Sequence, residues 1–242
     1  MNLSYWENKT WLSQVNYTII GSGIVGLNCA LQLKQQFPNA KILILERGML
    51  PQGASTKNAG FACFGSLSEI LDDLKTHSED EVIELVQKRI NGLNLLRQNL
   101  TDQAINYQQL GGYELFNTDN QVLYERCLSN KDAINNLLFP VLKESIFTLK
   151  VNSFGFKNIY KQLIFNPFEG QIDTGKMMEA LLLKVQSAGI KILNNVLVEA
   201  FTEINDAVDI KTSHFQFKSN KLLIATNGFA AQLINEDVKP AR

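Results

Sequence analysis

The chain has 242 residues, 45% of them hydrophobic, with a formal net charge of −1. That length and apolar content can bury a full core and exclude a disordered chain. Scattered Lys and Arg give no nucleic-acid footprint, no apolar run reaches the length of a membrane span, and Met1–Gln14 lacks the basic-then-apolar layout of a signal peptide.

Cys29, Cys63 and Cys127 are odd in number and widely spaced, as expected of reduced thiols in a cytoplasmic protein. With only His77 and His214, and no CxxC, no metal site is expected. In chain order, Met1–Gln14 reads as a short arm pinned to the body by Tyr5, Trp6 and Trp11. Val15–Ile20 predicts a strand, Ile24–Gln36 a helix and Lys41–Leu45 a second strand. That βαβ order requires a parallel sheet and a right-handed crossover. Leu50–Ser68 mixes hydroxyls, small residues and three glycines with Phe61 and Phe64. It reads either as polar linker or as backbone that runs close to a flat or charged ligand.

Glu69–Leu100 is helical in pattern, with a capping box over Ser78–Glu81 and Val82, Leu85, Val86, Ile90 and Leu93 on one face. Gly111–Phe116 predicts a strand, Asn120–Leu138 a helix, and the run to Phe165 short strands with a turn at Asn152–Phe156. Asn166–Gly170 is a turn, and Asp173 caps a helix from Thr174 to Ala188, closed by Gly189. Strands follow at Lys191–Leu193, Leu197–Phe201, Val208–Thr212, His214–Phe217 and Lys221–Ala225. The last of these ends in the small-residue turn Thr226–Gly228, and Leu233–Arg242 reads as a linker.

The organising stretch is Tyr17–Gly48. Gly21 permits a tight turn off the strand, Gly23 lets backbone approach a pyrophosphate, and Gly26 lets the helix pack close to the sheet. The helix N-terminus offers free N–H groups and a partial positive charge to phosphates. Glu46 stands about twenty residues further on, where an acid accepts hydrogen bonds from ribose hydroxyls. These residues predict a dinucleotide site and leave NAD and FAD both open. A second small-residue turn at a strand's carboxyl end, Thr226–Gly228, is what a ligand crevice in an open α/β sheet requires.

Together these motifs resemble the FAD-dependent oxidoreductases of the D-amino acid oxidase, glycine oxidase and sarcosine oxidase superfamily, over nearly the whole chain. Gly21–Ala30 is similar to the family's nucleotide fingerprint and Glu46–Gly48 to its acid-ended strand. Gly53–Gly60 is similar to the segment that runs along the flavin, Gly111–Tyr113 to the first substrate-domain strand, and Ala225–Gly228 to the late turn near the cofactor. The resemblance implies an α/β, Rossmann-like FAD-binding domain with an inserted, incomplete α+β substrate domain. The implied division is 1–103 and 171–242 for the FAD-binding domain and 104–170 for the substrate domain. By position, Gly21, Gly23, Val25 and Gly26 would hold the pyrophosphate, and Glu46 and Arg47 the adenosine end. Ser55, Thr56, Asn58, Gly60 and Phe61 would line the ribityl chain and ring. Val198 would face the adenine, and Ala225, Asn227 and Gly228 would close over the cofactor. Lys57 departs from the arginine of many relatives, a point charge in place of a planar fork.

The implied reaction removes a hydride from the carbon beside the nitrogen of a small amine or amino acid. FAD is the acceptor, and oxygen or another electron acceptor restores it. No catalytic residue is assigned. Tyr113 and Glu114 are the substrate-domain polar candidates and read first as members of cross-strand pairs, while Cys63 reads as a buried thiol. Relatives run on well beyond a segment like Val238–Arg242. Activity is therefore expected in a longer chain or with a second chain supplying the missing half. Two alternatives stand beside this reading. A nucleotide-binding fragment or subunit would have no activity of its own. An NAD-dependent Rossmann dehydrogenase would leave Gly53–Gly60 and Ala225–Gly228 unexplained.

Overall fold

The fold is that of a computed structural model, which describes residues 3–234. The chain opens with a short helix α1 (Tyr5–Glu7) and a π-turn over Asn8–Leu12. It continues as β1 (Val15–Ile20), α2 (Ile24–Gln36), β2 (Ile42–Leu45) and the single turn α3 (Ala54–Lys57). Next come β3 (Phe61–Ala62), α4 (Leu67–Asp73), α5 (Glu79–Leu100), α6 (Asp102–Ile105), β4 (Gly112–Glu114), α7 (Gln121–Leu142), β5 (Thr148–Val151), β6 (Gln162–Asn166) and β7 (Gly170–Gln171). The last part holds α8 (Thr174–Ser187), β8 (Lys191–Leu193), β9 (Val198–Ile204), β10 (Ala207–Thr212), β11 (Gln216–Ile224) and a 3-10 turn over Asn227–Gln232.

The described residues fall into two compact units, 3–58 with 174–234, and 59–173. The architecture is α/β with an α+β insertion. The compact units break at 58/59 and 173/174. Residues 59–103, expected with the first domain, therefore pack with the insertion.

The first unit is built on a six-stranded sheet of order β8-β2-β1-β11-β10-β9. β8, β2, β1 and β11 run parallel, and β10 is antiparallel to both its neighbours. All four residues of β2, Ile-Leu-Ile-Leu, are buried, the pattern of a parallel strand covered on both faces. On one face α2 packs on β1, β2 and α8. On the other, Ile20, Leu43, Leu45, Val196, Val198, Ile210 and Phe217 form one buried cluster.

The N-terminal arm opens as a helical turn, because Ser4 and Glu7 form a reciprocal capping box. Of its aromatics, Trp11 packs against that cluster, with Lys191 Nζ 4.6 Å from its ring centre. Tyr5 and Trp6 are each 68% exposed, so they do not pin the arm. The two expected strands His214–Phe217 and Lys221–Ala225 are a single strand, β11. Its polar Ser219 is tolerated inside because Oγ donates to the carbonyls of Lys221, at 2.9 Å, and Val15, at 3.4 Å. From residue 235 on, the expected linker lies outside the described residues.

The second unit packs α4 and α5 against α7 and shares their core with β6 of the three-stranded antiparallel sheet β4-β6-β5; it also holds the short ladder β3-β7. Its core joins Phe64, Leu67, Ile70, Val82, Val86, Leu138, Phe147 and Ile164. The expected helix Glu69–Leu100 is two helices, because Ser66 and Ser78 each nucleate one with a capping box. α7 runs past the expected end at Leu138, through Pro140, to a left-handed Lys143. Asn135 on α7 is 94% buried, and its amide replaces a strand partner for the chain entering β5. Oδ1 accepts from the N–H groups of Ile146 and Phe147 at 3.1 and 2.8 Å, and Nδ2 donates to the Phe147 carbonyl at 2.9 Å. Orphaned buried backbone groups cost about 1–3 kcal/mol each. Asn135→Leu is therefore expected to lower stability by about 3 kcal/mol in urea denaturation, more than a surface substitution on the same helix.

Candidate functional site

β1 ends at Ile20, and the next residue, Gly21, turns the chain with φ +102°. Its N–H donates to Leu45 O at 2.8 Å, and Ala225 N donates to Ile20 O at 2.9 Å, so the carboxyl ends of β2, β1 and β11 meet here. The chain leaves β1 towards β2 on one side while β11 lies on the other. This is the switch point at which open α/β sheets form ligand crevices. The approach is too close for side chains. A Cβ on Gly21 would lie 2.8 Å from Ala225 O, and one on Gly26 only 2.0 Å from Gly21 O.

α2 begins with Gly23 as its N-cap, which has no side chain to offer the first turn. The helix starts with N–H groups that lack intrahelical partners. That of Ile24 is accepted by Ser55 Oγ at 2.9 Å, from the Gly53–Asn58 turn. Val25, in the same first turn, is 70% exposed. In the turn itself, Gly53 has φ +119°, Thr56 Oγ1 donates to the carbonyls of Pro51 and Gly53, and Asn58 Nδ2 to those of Ala54 and Ser55. Asn58 Oδ1 accepts from Thr174 Oγ1 at 2.9 Å.

Glu46, at the end of β2, is 95% buried. Its Oε2 accepts from Ser22 N at 3.0 Å and Ser22 Oγ at 2.7 Å, and its Oε1 from Gly48 N at 3.0 Å. The backbone beside it is held by Glu46 N to Leu193 O and Val196 N to Glu46 O. Val198 shares the buried cluster of Leu45 and Val196. The Arg47 guanidinium lies 4.3 Å from the centre of the Phe229 ring, in the 3-10 turn that begins with Asn227 and Gly228. Asn227 is left-handed at φ +51°.

Two residues at this crevice were missed in the sequence. Ser22 stands at a variable position of the glycine pattern, yet both its donors serve Glu46. Thr226 follows Ala225, and its Oγ1 is buried with no hydrogen-bond partner among the described residues. An unpaired hydroxyl next to Gly21, near a helix whose N-cap residue offers no side chain, fits a polar ligand such as a pyrophosphate-bearing cofactor.

Gly60 and Phe61 belong to the second unit. Gly60 is left-handed at φ +80° and its carbonyl accepts from Ile172 N at 2.8 Å, while Phe61 on β3 is 75% exposed. Tyr113 on β4 stands beside Phe165, its cross-strand partner, and meets Phe154 edge-on at 4.9 Å. Glu114 on the same strand is half-buried and takes the hydroxyl of Ser68. Burial pushes its carboxyl up, against the hydrogen bonds from Ser68 and Ser66 that lower it. Cys63 is exposed rather than buried. Cys127 is fully buried and its thiol is pushed up to about 12, chiefly by burial, which leaves it unreactive at neutral pH. Among the described residues no three His, Cys, Asp or Glu come together in a metal-binding group, and no helix is long and apolar enough to cross a membrane.

The profile of the FAD-dependent oxidoreductases of the D-amino acid oxidase type matches residues 16–242. The chain belongs to this family. FAD is the family's cofactor, and the Gly21–Gly26 cradle, the α2 N-terminus and the Thr226 hydroxyl are the features that fit it. Among curated proteins the chain is 21% identical over 220 residues to the probable oxidoreductase OrdL of Haemophilus influenzae, covering 91% of this chain and 50% of that one. It is 24% identical over 218 residues to L-2-hydroxyglutarate dehydrogenase of Salmonella houtenae, covering 89% and 48%. The chain thus spans about half the length of the curated relatives it matches. Among solved structures, glycine oxidase from Geobacillus kaustophilus shares the fold with a TM-score of 0.66 at 18% identity, covering 90% of this chain and 56% of that one.

Two outcomes follow from the geometry. Gly26→Ala puts a methyl group against backbone and is expected to prevent folding, seen as loss of soluble protein. Gly23→Ala meets only Ser55 Oγ, at 2.9 Å, which can turn away. That variant should stay folded, with a melting temperature within a few degrees of the parent. For Glu114, the raised folded-state value means that the folded chain holds its proton more tightly than the unfolded one. Stability from this group is full below the ordinary carboxylate value and is lost as pH rises through the raised one. Glu114→Gln should remove that loss, so its melting temperature relative to the parent should rise between pH 4 and pH 8.

Proposed function

We propose that this chain is the FAD-binding part of an oxidoreductase that oxidises a small amine or amino acid. The observation that carries the reading is the α2 N-terminus, capped by no side chain of its own helix, set beside Gly21, Gly26 and Ala225 at the switch point of the sheet. Bound FAD supplies the hydride acceptor and is restored by oxygen or another electron acceptor. The protein supplies binding and orientation. Gly21, Gly23, Val25 and Gly26 hold the pyrophosphate with backbone N–H groups, and Glu46 and Arg47 the adenosine end, with Val198 at the adenine. Ser55, Thr56 and Asn58 are assigned to the ribityl chain, and Ala225, Asn227 and Gly228 to the closing turn. Gly60 and Phe61 are carried over to the ring by resemblance alone.

The amine or amino-acid class is supported by the glycine oxidase likeness and by the family match. L-2-Hydroxyglutarate dehydrogenase among the relatives gives a 2-hydroxy acid as the competing substrate class. Both classes present the same bond to the cofactor, a C–H beside a heteroatom. Because the curated relatives are about twice as long, turnover is assigned to a longer polypeptide or to a complex with a second chain that completes the substrate domain. Three widely spaced free cysteines support a reducing, cytoplasmic setting.

The test is direct. The purified protein titrated with FAD should quench flavin fluorescence and show a protein-bound flavin spectrum, with no comparable binding of NADH. Binding of NADH in place of FAD would return the reading to a nicotinamide dehydrogenase, and binding of neither would sink it. With the longer form, anaerobic bleaching of the flavin by small amines or amino acids, but not by 2-hydroxy acids, is the expected substrate pattern.

A further inference from the structure

Ser22 is fully buried, and it spends both of its donors on one atom, Oε2 of Glu46. A carboxylate offers about four lone-pair positions, two on each oxygen. Ser22 N and Ser22 Oγ fill those of Oε2, and Gly48 N fills one on Oε1. One acceptor position is left, and it is on Oε1. The acid is therefore clasped on one oxygen by Ser22 from the glycine turn and on the other by Gly48, two residues on, with its torsions set before any ligand arrives.

We propose that Ser22 is a positioning residue for the adenosine end of the cofactor. Its hydroxyl closes Oε2 and turns Glu46 so that Oε1 alone meets a ribose hydroxyl. The ribose is then held by a single charge-assisted hydrogen bond from a preset acceptor rather than by a two-oxygen clamp. An alanine at this position keeps the backbone donor but frees the carboxylate to turn, so the ligand must then order the side chain as it binds. The proposal rests on the reading that FAD occupies this crevice.

The experiment is a set of FAD titrations of the purified protein, followed by flavin fluorescence, with apoprotein melting temperatures measured alongside. Ser22→Ala should raise the Kd for FAD about tenfold, the scale of one hydrogen bond to a charged acceptor. Ser22→Thr, which keeps the hydroxyl, should restore most of it. In a Glu46→Gln background, Ser22→Ala should change the Kd less than about twofold, because the acid it positions is gone. A merely structural serine would weaken FAD equally in both backgrounds and in step with the melting temperature, and that result overturns the proposal. If Ser22→Ala does not fold, Ser22→Cys takes its place, of similar shape and with only a weak donor, and the same tenfold loss is required of it. A parent chain that fails to take up FAD overturns the functional reading and the clasp with it. A parent that binds FAD while Ser22→Ala binds as tightly overturns the clasp alone.

Discussion

Three backbone segments converge where β1 ends, α2 begins and β11 ends, and they can do so because two positions there carry no side chain. At Gly26 a methyl group would lie 2.0 Å from the Gly21 carbonyl, and at Gly21 it would lie 2.8 Å from that of Ala225. Those distances are well inside van der Waals contact, so the glycines decide whether the helix can seat on the sheet at all. Glycine loses more conformational freedom on folding than other residues, about 0.5–1 kcal/mol relative to alanine in regular structure. The burial of Ile19, Leu27, Leu43 and Ile44 in the surrounding layers offsets that cost. The same closeness brings the first turn of α2 to the carboxyl end of the sheet, where the Ile24 N–H meets Ser55 Oγ.

Each unit holds a carboxyl group away from most of the water, with different partners. Glu46 lies at the foot of the crevice with three donors on its two oxygens, two of them backbone N–H groups fixed by the turns they belong to. Glu114 also sits away from water, but there burial outweighs its serine hydrogen bonds and the group tends to keep its proton. Buried polar groups need hydrogen-bond partners in place of water. Glu46 has three such donors, whereas Glu114 is packed on its strand beside Ser68.

Much of the first unit could be read directly from residue order. The strand Val15–Ile20 and the helix Ile24–Gln36 appear with the expected bounds, because the glycine turn ends one and starts the other. β2 begins one residue late. What stayed hidden has physical reasons. The pattern of α4 and α5 shows that they have an apolar face but not which core that face meets; in the structure residues 59–103 belong to the compact unit 59–173. Ser66 and Glu69 form a capping box that straddles the boundary between the Leu50–Ser68 stretch and the helical pattern that starts at Glu69. β11 looked like two strands because Ser219 and Asn220 interrupt its apolar run, and only the carbonyls within reach of Ser219 explain the continuity. At the site, the glycines and Glu46 were legible as types at a spacing. Ser22 and Thr226 were not, since their roles come from what surrounds their hydroxyls.

The insertion has a consequence for the order of folding. β1 pairs with β11 in a register that joins Val15 to Ser219, across most of the chain. Closing so long a loop is entropically costly and makes such pairings late events. The insertion is a compact unit with its own core, and it leaves and re-enters the first unit at neighbouring points, where Thr174 Oγ1 reaches Asn58 Oδ1 at 2.9 Å. If residues 59–173 collapse first, the loop that separates β2 from α8 becomes, in effect, the short distance across that neck. The interrupting unit would then act as a tether for the sheet it interrupts.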